Sequence, residues 1–127
     1  MAYVYENLNP KNQIVGDCAI RAVAKACGLS WDEAYTGLTD MGFYMKNLPN
    51  ANTVWGAFLK AMGFVKCSLP NTCPDCLTVR QFTEDNPRGV YVLCTGTHVV
   101  TAIDGDFFDI WNSGDEPIAF YYKEVNL

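Results

Sequence analysis

Residues 97–112 read THVVTAIDGDFFDIWN, and the turn inside them decides what the chain becomes. On both sides of Asp104-Gly105, β-branched and aromatic residues mark strands. Asp-Gly is a preferred pair for a two-residue type I′ turn, whose central residues both take positive φ. With that turn, His98 faces Trp111 and Val100 faces Asp109, and the four side chains share one side of the hairpin. Asp109 is then diagonal to His98 and within side-chain reach. A three-residue loop at 104–106 instead pairs His98 with Asn112 and turns Asp109 to the other face. The Asp-Gly signal favours the first register, and Asn112 is kept as the reserve orienter.

Around this hairpin, GVYVLCT before it and PIAFYYKEV after it read as further strands, giving an antiparallel sheet of about four. Upstream the pattern is helical. DCAIRAVAKAC at 17–27 places Ile20, Val23, Ala24 and Cys27 at helical spacing, with Gly28 as a stop and Asp17 as a cap that also stands four residues before Arg21. SWDE at 30–33 is a capping box opening a second helix that ends near Met41, with Gly42 after it. A third helix, about Asn52 to Met62, turns Val54, Trp55, Phe58, Leu59 and Met62 inward. TVRQ at 78–81 opens a short fourth helix that Asn86-Pro87 closes. Helices first and an antiparallel sheet after them is an α+β arrangement, read as one domain over 1–127.

Composition narrows the function. Of the 127 residues half are apolar, and the net charge is −5. The nine Lys and Arg are scattered, so neither nucleic acid nor an anionic membrane surface is an expected partner. The N-terminal MAYVYENLNPKNQ lacks the basic and apolar regions of a signal peptide, and no stretch is long and apolar enough to span a bilayer. The expectation is a cytoplasmic protein with reduced thiols.

Among the six cysteines Cys18 stands out, at the mouth of a helix in NQIVGDCAIR, in a chain whose only histidine is His98. A free thiol is mostly protonated at neutral pH, whereas helix N-terminal amides and a nearby imidazolium both favour thiolate. A Cys-His pair with Asp109 orienting the imidazole is the equipment of acyl transfer. An oxyanion needs donors as well, and Gln13 and Asn12, with the Cys18 amide, are the candidates.

The segments GDCAIRA and HVVTAIDGDFFDIW resemble the papain-like cysteine peptidases, most of all the compact bacteriocin-leader-processing type and small phage or bacterial relatives. The resemblance implies a helix carrying Cys18 packed on an antiparallel sheet carrying His98 and Asp109. It also implies hydrolysis of a peptide or isopeptide bond in a peptide or protein substrate, without a cofactor. The family glutamine usually stands six residues before the cysteine, where this chain has Asn12. Two other readings compete. One is an inactive papain-like fold kept as a binding module; the other is a zinc-stabilised module built on Cys67, Cys73 and Cys76, closed by Cys27 or Cys94.

Overall fold

The computed structural model describes residues 2–69 and 77–125. The chain opens with a short strand, β1 (Tyr3–Tyr5), and then runs through three helices: α1 (Cys18–Cys27), α2 (Trp31–Met45) and α3 (Asn52–Ala61). After β2 (Phe64–Ser68) and α4 (Val79–Asp85) come β3 (Val90–Cys94), β4 (Val99–Ile103), β5 (Asp106–Asp109) and β6 (Phe120–Glu124). The fold is therefore mixed α+β, with four helices and six strands among the described residues.

All six strands form one sheet in the order β1-β5-β4-β3-β6-β2. It is larger than the four strands expected, and it is mixed, because β1 lies parallel to β5 while every other pair is antiparallel. The two additional strands are the two edges, whose pairing is tertiary and leaves little local trace.

The hairpin has the short turn. Asp104 and Gly105 take φ of 50° and 88°, as a type I′ turn requires, and Thr101 faces Phe108 and Ala102 faces Phe107. Side chains then sort by alternation into two layers. Val92, Cys94, Val99 and Tyr122 pack with α1, α2 and α3, while Tyr91, Leu93, Val100, Ala102 and Phe107 pack with α4. Alanine on α1 lets that helix lie close to the sheet, and the buried Thr101 hydroxyl donates to the Ala22 carbonyl across the gap at 2.6 Å.

Three local expectations are corrected. Asp17 occupies the N-cap position of α1, but its carboxylate makes no cap hydrogen bond because other partners hold it. Helix α2 runs through Gly42 to Met45 and ends at Lys46 in the left-handed region. Gly42 is there for space: a Cβ would stand 2.7 Å from the Asn47 carbonyl oxygen as the chain doubles back. Met62, expected to face inward, is 43% exposed beyond the end of α3. Both capping boxes, Ser30 with Glu33 and Thr78 with Gln81, are formed.

The sheet also separates the cysteines proposed for zinc. Cys67 faces Tyr121 in register, and Tyr121 faces Leu93, which puts Cys67 on the α4 side. Cys27 and Cys94 belong to the other layer, so neither closes a site on Cys67. Cys73 and Cys76 lie outside the described residues. Among the described residues no cluster of His, Cys, Asp or Glu could hold a metal, and no helix is long and apolar enough to cross a membrane.

Candidate active site

Three elements meet at one end of the sheet. Helix α1 begins there with Cys18, β4 is preceded there by His98, and β5 ends there on Asp109. The His98 Nε2 lies 2.6 Å from Asp109 Oδ2, and the imidazole and the Cys18 thiol are close enough to shift each other's protonation. The backbone of His98 is fixed as well, since its carbonyl accepts from the Thr95 amide at 2.9 Å. The Trp111 ring lies 5.0 Å from the imidazole, centre to centre, and covers one side of it while staying partly exposed.

Asp109 is almost fully buried and held on every side. Its Oδ2 also accepts from the Ser113 hydroxyl at 2.8 Å, and its Oδ1 accepts from the Ile110 amide at 2.8 Å and from Arg21 Nη1 at 3.2 Å. Its carbonyl accepts from the Glu6 amide and the Tyr3 hydroxyl, so β1 clamps the backbone beneath the carboxylate. A carboxylate satisfied in this way has one orientation to offer the histidine.

The protonation states follow from these contacts. Burial disfavours imidazolium at His98, but the hydrogen bonds and charges of Asp109 and Cys18 outweigh it and lift the pKa to about 9. Burial likewise disfavours a thiolate at Cys18. It is outweighed by the His98 hydrogen bond, the Val99 amide and the charges of His98 and Arg21, and the thiol falls below its ordinary value. Asp109, despite its burial, is held below the usual carboxylate range, first by His98. Each of these directions favours a Cys18 thiolate beside a His98 imidazolium at neutral pH. The other buried thiols go the opposite way: burial pushes Cys27 up to about 11, and Cys94 also rises.

The remaining expected residues are placed differently. Asn112 does not reach the imidazole; its Oδ1 accepts from the Gly114 amide at 3.1 Å and from Arg80 at 3.4 Å. Asn12 and Gln13 are exposed, and neither side-chain amide hydrogen-bonds to Cys18, His98 or another described residue. Their loop is held instead by the Asn12 N–H donating to the Asn9 carbonyl, by the Asn7 side-chain amide donating to the Gln13 carbonyl and by the Lys11 N–H donating to Asn9 Oδ1. The donor in place is the Cys18 N–H, in the first turn of α1, which has no acceptor among the described residues.

Sequence reading missed the reach of Arg21 to Asp109 and the roles of Ser113 and Tyr3. The Asp17–Arg21 spacing pointed to half of the first; nothing local pointed to the others. Behind Cys18 a cavity of about 10 Å³, lined in part by Glu6, Lys25 and Phe108, has room for one water and no substrate side chain. Ile14 and Val15, shortly before Cys18 in the chain, and Trp111, beside the imidazole, are exposed. Comparison with protein-family models, with curated proteins and with solved structures finds no match to this chain.

Proposed function

We propose that this protein is a cysteine hydrolase of papain-like design that cleaves a peptide or isopeptide bond. One observation carries the reading: Cys18 and the chain's only histidine shift each other's protonation, and the Nε2 of that histidine lies 2.6 Å from a buried aspartate. Lowered thiol and raised imidazole are the directions a nucleophile and its general acid–base partner need.

In the reaction the Cys18 thiolate attacks the carbonyl carbon, and the carbonyl oxygen becomes an oxyanion that the Cys18 N–H stabilises. His98 gives its proton to the departing amine as the carbon–nitrogen bond breaks, leaving a thioester. Neutral His98 then takes a proton from water. The resulting hydroxide attacks the thioester, and the carboxylic acid leaves as the thiolate and imidazolium are restored. Asp109 keeps the imidazole oriented throughout. Every group used belongs to this chain, and the thiolate requires a reducing compartment such as the cytoplasm.

The test is the alkylation rate of each cysteine against pH, read by peptide mass spectrometry, for wild type and His98→Ala. Cys18 is expected to react fast below pH 7 and to slow in the variant, while Cys27 and Cys94 stay slow in both. A Cys18 that titrates like an ordinary thiol in wild type overturns the reading. The exposed Asn12 and Gln13 amides favour a second reading, a papain-like fold retained as a binding module. Cys18→Ala separates the two, because it abolishes hydrolysis and spares binding.

A further inference from the structure

We infer that Arg21 is a positioning residue that couples Asp109 to an outer carboxylate, Asp17, so that Asp17 sets the working pH of Cys18 and His98 without touching either. The inference rests on the reading of Cys18, His98 and Asp109 as one reacting group. Arg21 Nε donates to Asp17 Oδ1 at 2.8 Å, and Nη1 reaches Asp109 Oδ1 at 3.2 Å. All three residues are buried, with Asp17 3%, Arg21 7% and Asp109 1% exposed. Each carboxylate has its other oxygen occupied. Asp17 Oδ2 accepts from Trp31 Nε1 at 2.9 Å and from Asn9 at 3.4 Å, while Asp109 Oδ2 serves His98 and Ser113. Neither carboxylate can turn away from the guanidinium without breaking a second contact.

One cation therefore stands between two anions, and the negative charge of Asp17 offsets part of the field that Arg21 exerts on Asp109 and Cys18. The groups facing this cation come from four directions. Asp17 and Cys18 stand on α1 and Asp109 ends β5, with His98 beyond it. The Tyr3 phenol of β1 lies over the Asp109 carbonyl, and Glu6 and Lys25, paired at 3.0 Å, share the small cavity with Arg21. The hydrogen-bond partners of Asp17 are Arg21, Trp31 and Asn9, and of these Arg21 is the one that also reaches Asp109. A helix-to-strand tie alone needs no buried cation, since well-packed apolar side chains serve as well or better. The planar fork of arginine spans both carboxylates, which a single ammonium cannot.

The pH profile of Cys18 alkylation tests this, together with the His98 midpoint by NMR, where a sole histidine gives one unambiguous imidazole. Asp17→Asn hands the Arg21 charge to the inner site, and both midpoints are expected to fall by about half a pH unit. Arg21→Gln is expected to raise both by at least as much, with Arg21→Lys between it and wild type. A purely structural arginine changes the melting temperature and leaves these midpoints in place. The isosteric Asp17→Asn remains informative if Arg21→Gln does not fold. Superimposable profiles for Asp17→Asn, Arg21→Lys and wild type overturn the inference while leaving the proposed function standing. An ordinary thiol titration of Cys18 in wild type overturns both.

Discussion

At both His98 and Cys18 the fold favours the charged form more than the unfolded chain does, and their effects on stability run in opposite directions. The folded pKa of His98, about 9, stands above the ordinary 6.5. Its ion pairs thus stabilise fully below about pH 6.5, and that contribution is lost as pH rises through about 9. Cys18 has a lowered pKa, so its contribution is complete above the ordinary thiol range and is lost as pH falls through the lowered value. Between these limits the two dependences oppose each other, and the melting temperature of wild type is expected to change less with pH than either contribution alone would make it. Cys18→Ala removes one of them. Its melting temperature is expected to fall as pH rises from 6.5, over a window that closes below 9 because the Cys18 share of the His98 shift is gone, and a curve parallel to wild type refutes the pairing. Asp109→Asn keeps the shape but not the charge, and roughly tenfold slower alkylation of Cys18 at pH 6.5 is expected, read by the same mass spectrometry.

Among the elements, α2 shows how packing overrides propensity. Alanine favours a helix interior over glycine by about 1 kcal/mol. At position 42, however, the new methyl carbon would stand 2.7 Å from the Asn47 carbonyl oxygen, so the returning chain must move. Gly42→Ala is expected to destabilise the fold by about 1–3 kcal/mol in urea unfolding, against its helix propensity. The same contrast explains what could be read from the sequence. Ser30 with Glu33, Thr78 with Gln81 and Asp104 with Gly105 are local devices, each closed within four residues, and each formed. The hairpin register followed from the last of them, and with it the meeting of His98 and Asp109. Gly42 looked like a helix stop because the segment that needs its space lies beyond the helix end. Edge strands β1 and β2 depend on partners in β5 and β6, and Arg21 meets Asp109 only once α1 lies on the sheet. Asn12 and Gln13 had suitable chemistry and spacing, but the side chains of Asn7 and Asn9 shape their loop, and the Asn12 and Gln13 amides are left exposed.

For the molecule as a whole, the first strand belongs to the last part of the site. Tyr3 and Glu6 hold the Asp109 carbonyl, and β1 lies in register along β5. Removing residues 1–6 is expected to leave the layered core cooperative in urea unfolding. The same truncation should slow Cys18 alkylation at pH 6.5 about tenfold, as Asp109 loses its backbone clamp. Unchanged alkylation in a folded truncated chain would show that β5 positions Asp109 unaided.

This stitching of the two ends also imposes an order in time. During synthesis Cys18 leaves the ribosome early, as part of a helix whose sheet does not yet exist. Its histidine, the aspartate behind that histidine and the serine beneath them all follow it by 80 residues or more. A nascent chain thus carries an ordinary thiol at Cys18 until those residues emerge, and the thiol meets its partners only when the hairpin closes over β1.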